Sequence, residues 1–385
     1  MTTLKVRNVG PIREADIQFG DLTVFVGPQA SGKSILLQWL KLVLDVEPIK
    51  KQLADYGTDW ERDTEKFLEA YFGEGMGQIW SEKSQIILDN KPFNLKTKLR
   101  RRPRTKSTQE RVFLAPAQRV LTLRDGWPRP FSDFNPGDPY VVRAYSEKIR
   151  NLMENAGGST ALFPRKKRMK SEYRNMLDKS IFSGFALEVE KVKAQKRLIL
   201  RAAGKAGSLP FMVWSAGQRE FIPLLLGLYW IMPSTKLTKR DEYDWIILEE
   251  LEMGLHPRAV STMLMLVLEL LHRGYRVCLS SHSPQVLELV WAWQRLKDHD
   301  AAPERLADIL GAKKTPGIGT VVNDALQKQL RVYCFDHNAP VRDISALDID
   351  ARNRDKLEAS WGEMLSFSER ANRAVAESAV EGASE

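Results

Sequence analysis

Residues 27–34 read Gly27-Pro28-Gln29-Ala30-Ser31-Gly32-Lys33-Ser34, the full G-x-x-x-x-G-K-S spacing. Glycines let the backbone N–H groups of such a loop close around phosphate oxygens. The lysine reaches the β- and γ-phosphates of a nucleotide, and the serine hydroxyl helps to hold Mg²⁺. Gly27, Gln29, Ser31, Gly32, Lys33 and Ser34 are the phosphate-binding residues this spacing predicts, with Ser34 also a metal ligand. Farther along, the apolar run Trp245-Ile246-Ile247-Leu248 ends in Glu249-Glu250. Two acids delivered together by one strand suit a site where the first orients Mg²⁺ through its waters and the second polarises an attacking water. The spacing assigns Glu249 to the metal and Glu250 to the general base. His282, in Leu279-Ser280-Ser281-His282-Ser283-Pro284, offers an imidazole able to hydrogen-bond a γ-phosphate oxygen and report its presence. In Trp214-Ser215-Ala216-Gly217-Gln218-Arg219-Glu220, small residues precede a helix start. Ser215, Gly217 and Gln218 there form a second anion reader through N–H groups and helix dipole. Ser215 and Gln218 also fit a capping box, and the two readings are compatible. A complete phosphate loop plus a second reader in one chain implies pairing: two copies, head-to-tail about a two-fold axis, each offering Ser215 to the nucleotide held by the other.

A frame of strands and helices must carry these residues. Leu22–Val26 reads as a buried strand entering the loop and Ser34–Leu44 as a helix leaving it, the context a working phosphate loop requires. Trp245–Leu248 and Arg276–Ser280 read as buried strands, with a helix at 258–272 between them and another from about Gly217. Strands alternating with helices predict a largely parallel sheet with ligands at the carboxyl ends of its strands. Leu4–Arg7 and Ala15–Phe19 read as strands of an N-terminal β-rich lobe. A helix at 61–71, strands at Gln85–Leu88 and Val112–Ala115, an irregular surface excursion at 125–140 and a mostly helical 138–180 follow. Strand signal resumes at Arg197–Leu200 and Phe211–Val213. The division this suggests is 1–124 and 196–290 as the two parts of one head, 125–195 as an irregular and helical insert, and 291–385 as an accessory or partner region. Its strand-like 331–335 is able instead to complete the sheet, and the tail from Arg373 is expected to fray.

Composition bounds the class. Hydrophobic residues make up 43% of 385, enough for a sizeable core. No apolar run reaches the roughly 18 residues that span a bilayer, which predicts a cytoplasmic protein without a membrane partner. Cys278 and Cys334 lie in apolar, strand-like runs and read as reduced core residues. The net charge of +9 is uneven: residues 96–111 carry eight basic residues against Glu110 alone, and Arg165-Lys166-Lys167-Arg168 with Lys170 forms a second cluster. Such clusters suit nucleic-acid phosphate, an acidic protein partner, or a solvated loop.

Taken in order, the phosphate loop, Ser-x-Gly-Gln, the acidic strand followed by Glu-x-x-Leu-His-Pro (252–257), and Ser-His-Ser-Pro resemble the ABC-type ATPase heads of the SMC, Rad50 and RecF group. Within it the chain looks most like the OLD-type ATPases and the stand-alone ATPase subunit of bacterial anti-phage systems such as PARIS. The resemblance covers about residues 1–290. It implies an α/β head with a mixed, largely parallel central sheet, an N-terminal β-rich lobe, and a short helical insert in place of a long coiled coil. It also implies ATP and Mg²⁺ as cofactors, Ser215–Gln218 as the signature, Gly254–Pro257 as the D-loop, His282 as the switch histidine, and Gln118 as the Q-loop glutamine near the metal. Glu249 stands where the group usually has Asp, and Leu251 where it usually has Pro. Slow hydrolysis suits those departures. No acidic TOPRIM pattern follows residue 290, so a nuclease would be a separate protein. Three functions compete: an ATP-gated sensor or scaffold that holds and releases an effector such as a nuclease or toxin, a RecF-like repair ATPase that clamps duplex DNA, and a plain ATP-dependent DNA-binding module with no effector.

Overall fold

The computed structural model describes residues 2–100, 109–154, 161–165, 169–192, 195–202, 207–232, 239–240, 242–299, 302–346, 371 and 374–375. In chain order its main elements are β1 (Thr3–Val9), β2 (Ile12–Gln18), β3 (Leu22–Val26), α1 (Lys33–Asp55), α2 (Thr64–Phe72), β4 (Trp80–Leu88) and β5 (Val112–Ala115). They continue with α3 (Tyr140–Glu154), β6 (Phe185–Val192), β7 (Gln195–Ala202), α4 (Ala216–Ile231), β8 (Trp245–Glu249), α5 (Pro257–His272), β9 (Arg276–Ser280), α6 (Pro284–Asp298), α7 (Pro316–Leu326), β10 (Leu330–Cys334) and β11 (Arg342–Asp343).

The central sheet runs β11-β10-β3-β9-β8-β5. All neighbours are parallel except β11, which returns antiparallel against β10. Its strands are continuous apolar runs because both faces are covered. The period of two divides each strand between two cores: Leu22, Val24, Val26, Ile246, Leu248, Val277 and Leu279 face α4, α5 and α6, whereas Phe25, Trp245, Ile247 and Cys278 face α1 and the N-terminal lobe. That lobe is the antiparallel sheet β2-β1-β4, pairing Val6 with Ala15 and Ile86.

The structure departs from the sequence reading at several places. Phe211–Val213, expected as a strand, is a single 3₁₀ turn with Met212 and Val213 exposed. The pairing falls instead to Leu209–Pro210 on β7, and Pro210 starts the turn. The insert holds more than helices: β6 forms a hairpin with β7, which covers the expected strand Arg197–Leu200, inside a four-stranded antiparallel sheet braced by Arg197–Glu190 (2.7 Å) and Arg201–Glu188 (2.9 Å). Helix α1 runs past Leu44. Asp45 leaves helical geometry, Pro48 lies in the next turn, and the Asp45 carboxylate accepts the N–H groups of Arg111 and Val112 (2.8 and 3.0 Å), which pins the start of β5. Within 291–385, read as accessory or partner region, the strand-like 331–335 completes the sheet, the other reading left open for it, as β10 beside β3. Both cysteines are buried, in β9 and β10, and no disulfide joins them. The tail from 376 and most of 347–375 lie outside the described residues.

Candidate nucleotide site

β3 delivers the loop and α1 leaves it, so residues 27–34 sit at the carboxyl end of the sheet. Gly27 (φ +131°) and Gly32 (φ +102°) occupy backbone regions that favour glycine, and Ala30 (φ +58°) shares the left-handed turn. Gln29 is exposed, Ser31, Gly32 and Lys33 are buried, and Ser34 is half-buried. Lys33 is only 5% exposed, and its ammonium donates to Gly27 O (2.8 Å), Pro28 O (2.6 Å) and Ser31 Oγ (3.4 Å). Burial lowers its pKa to about 8 against the opposing fields of Glu250 and Glu252, so it remains a cation at pH 7.

β8 lies two strands away, across β9, and ends in Glu249, 1% exposed. Its Oε2 accepts the Ala117 N–H at 3.1 Å, the Ser34 hydroxyl stabilises the carboxylate, and its Oε1 is buried without a hydrogen-bond partner. Burial pushes this carboxyl up to about 7. Glu250 follows in a left-handed conformation (φ +44°) and its Oε1 lies 3.6 Å from His282 Nε2. Desolvation and then the Lys33 charge lower the His282 pKa, which keeps the imidazole neutral at pH 7. Glu252 ties the next turn to the loop after β9: its Oε1 accepts Ser281 Oγ (2.9 Å) and the His282 N–H (2.6 Å). Lys33, Ser34, Glu249, Glu250 and His282 therefore converge from β3, β8 and β9.

Ser215 caps α4, and the capping box is formed: Gln218 N–H donates to Ser215 Oγ (3.3 Å) and Ser215 N–H to Gln218 Oε1 (3.1 Å). A Cβ on Gly217 would meet Gly254 O at 2.8 Å, so the start of α4 and the turn before α5 touch through backbone. Ser215 is exposed, and its recorded bonds run within the cap. The Gln118 side chain is exposed beside Ala117, and it is the Ala117 N–H that reaches Glu249. Two residues escaped the sequence reading: Glu252, marked there only as part of a turn, and Arg119, which no motif marks.

Of the basic segments, residues 101–108 and 166–168 lie outside the described residues. Arg111 donates twice to Asp244 Oδ2 (2.9 and 2.8 Å), and Lys170 pairs with buried Glu269 (2.7 Å), so the C-terminal end of each segment is committed to the fold. No described helix is long and apolar enough to cross a membrane.

Residues 22–288 match the family described as "AAA domain, putative AbiEii toxin, Type IV TA system". The chain belongs to this AAA-domain family. Its fold is an α/β one in which a largely parallel sheet carries the phosphate loop beside a flanking antiparallel lobe. Solved structures similar to the chain include an SMC head bound to the C-terminal winged-helix domain of ScpA (11% identity, 89% of this chain and 96% of that one, TM-score 0.41). Others are the SMC head domain from Thermotoga maritima (12%, 89% and 97%, 0.34) and a dimeric bacterial ABC transporter cassette (13%, 73% and 88%, 0.33). No curated protein matches the sequence.

Proposed function

We propose that the chain binds ATP on residues 27–34 and hydrolyses it slowly between two copies of itself, and that the ATP state holds or releases a separate effector protein. The observation that carries the first part is the convergence of a buried lysine, a buried carboxylate with an unpartnered oxygen, a second carboxylate and a neutral imidazole at the end of one parallel sheet. Lys33 holds the β- and γ-phosphates, exchanging its loop carbonyls for phosphate oxygens. Ser34 and Glu249 suit Mg²⁺: both offer hard oxygen donors, and Glu249 Oε1 has no protein partner. Gln118 lies at the edge of this set. The ion, when bound, neutralises phosphate charge. Glu250 takes the proton of the attacking water, and His282 donates a hydrogen bond toward the γ-phosphate. Ser215, Gly217 and Gln218 serve the nucleotide of the partner copy.

The sensor role draws on the family description, which speaks of a toxin and a type IV toxin–antitoxin system. The effector is then a nuclease or toxin, the setting is anti-phage defence in the cytoplasm, and the repair reading is the alternative that DNA recovery would favour. Glu250→Gln should bind ATP, lose turnover and accumulate as a nucleotide-bound dimer or larger oligomer, while Lys33→Ala should lose ATP binding. Affinity purification of the Glu250→Gln chain with ATP from its host should recover a stoichiometric nuclease or toxin. Recovery of DNA with recombination proteins in its place would refute the sensor reading, and wild-type turnover by Glu250→Gln would refute the assignment of the base.

A further inference from the structure

Arg119 stands on the loop after β5 and is fully buried. Among the described residues its guanidinium bonds only to backbone carbonyls: Nη1 donates to Glu249 O (3.0 Å) and Pro116 O (3.4 Å), Nη2 to Glu250 O (3.0 Å), and Nε to Glu220 O (3.1 Å). Among the described residues no carboxylate lies within ion-pair distance of it. Glu220, Glu252 and Glu250 act on it through space. A cation in the interior is tolerated only when its donors are met, and here carbonyl dipoles meet them. A planar five-donor fork meets four carbonyls here, spread over three separate segments, one more than the three donors of an ammonium on a single nitrogen can satisfy.

The choice of carbonyls is informative. Glu249 and Glu250 are the last peptide units of β8 and the turn that follows. Glu250 holds a left-handed conformation rare for a residue with a side chain, which persists only where its surroundings fix it. Its N–H is anchored on Ser280 O (2.9 Å) and its carbonyl on Arg119. Glu220 lies in the opening turns of α4, the helix that Ser215 caps.

We propose that Arg119 is a positioning residue: one rigid cation joins the backbone of both acidic residues to helix α4, so the direction of the Glu250 side chain depends on where that helix sits. Docking of a second copy on the start of α4 is then felt at Glu250 without any contact to it. This rests on Glu250 as the base of the reaction proposed above.

The test uses the full-length chain as Arg119→Lys and Arg119→Gln, each alone and in the Glu250→Gln background. It reads ATP affinity, kcat and single-turnover rate, with circular dichroism to establish folding. Both variants should bind ATP within about threefold of wild type and lose kcat by about 10- to 100-fold, the scale of a misplacement near 1 Å. Lysine should not rescue. In the Glu250→Gln background the same substitutions should change the residual rate less than about twofold, because no base is left to orient. Unchanged kcat in either folded variant, equal losses in both backgrounds, rescue by lysine, or failure of both variants to fold would each overturn the proposal. A wild-type chain that binds ATP but never turns it over would overturn the reading of Glu250 itself, and the wild-type measurement alone would reveal it.

Discussion

Gly27→Ala tests whether the C-terminal strand and the phosphate loop are one structure. Gly27 leaves β3 at φ +131°, and an added Cβ would lie 2.1 Å from Phe335 O, 2.9 Å from its carbonyl carbon and 3.1 Å from its nitrogen. The obstacle is backbone, and it is held in place: Phe335 N–H donates to Val26 O at 2.8 Å, continuing the β3–β10 register of Val26 with Cys334. Relief would require pulling β10 off β3. Overpacking costs about 1–3 kcal/mol and a disallowed backbone conformation about another 1–3 kcal/mol. The expected loss of about 2–6 kcal/mol is large beside the roughly 5–15 kcal/mol of a typical domain. Gly57 is the matched control, since its φ is +77° and nothing lies within 4 Å of its added Cβ. Gly57→Ala should cost only the backbone share, about 1 kcal/mol. Urea denaturation of both variants, with slopes compared, and ATP affinity measured in parallel would separate strain from collision. Gly27→Ala should lose at least about 1 kcal/mol more than the control, the overpacking share, and should lose ATP affinity. Equal midpoints would refute the placement of β10 against the loop.

Two further substitutions address the acids. Burial raises the Glu249 carboxyl to about 7 from 4.5, so the folded chain retains a proton that the unfolded chain releases between those values. The penalty for its ionised form is absent below pH 4.5 and complete above 7. Glu249→Gln, which keeps an acceptor for Ala117 N–H, should therefore raise nucleotide-free stability at pH 8 by up to about 3 kcal/mol, at about 1.4 kcal/mol per unit. Little gain is expected near pH 4.5, and turnover should vanish. Thermal melts at the two pH values check this, and a less stable variant at pH 8 would contradict it. Glu252→Ala removes the acceptor for Ser281 Oγ and His282 N–H, bonds to a charged group worth about 1.5–3 kcal/mol each when buried and less at this half-buried site. A loss of about 2 kcal/mol and a drop in kcat with ATP affinity kept are expected, whereas Glu252→Gln should retain most of both. Indistinguishable Ala and Gln variants would show that the loop does not depend on this acceptor.

What the sequence disclosed follows the range of the interactions. The phosphate loop is eight contiguous residues, and its strand and helix are its immediate neighbours, so residue types alone locate it. β3, β8 and β9 were legible because strands covered on both faces leave unbroken apolar runs. Strand order was not: 331–335 reads as a strand, but nothing local says that it pairs with residues 22–26. β6 was missed although Leu187-Glu188-Val189-Glu190 alternates with period two, because only Leu187 is buried and the charges dominate. The end of α1 was missed because Pro48 reads as a stop, while Asp45 holds the kink through bonds to residues 111 and 112. Arg119 was invisible for a stronger reason. Its neighbours are carbonyls, which every residue carries, so no choice of residue type in the sequence records them.

The same logic explains what Leu251 permits. A proline there, as in the group this chain resembles, would drive Glu250 toward extended backbone, because the proline ring crowds the residue before it. Leucine lifts that restriction, and Glu250 turns left-handed at φ +44° while Leu251 is fully buried. The direction of the second acid is then set by what grips its peptide units: Arg119 on its carbonyl, Ser280 on its N–H, and, one turn on, Glu252 holding the His282 loop. A proline would instead fix an extended geometry locally and permanently. Hydrogen bonds from three separate elements fix the left-handed one only while those elements stay in place, and one of them leads to the helix that carries Ser215. The base we propose, held in that way, is suited to respond to assembly, as the proposed switch requires and a constitutive hydrolase does not.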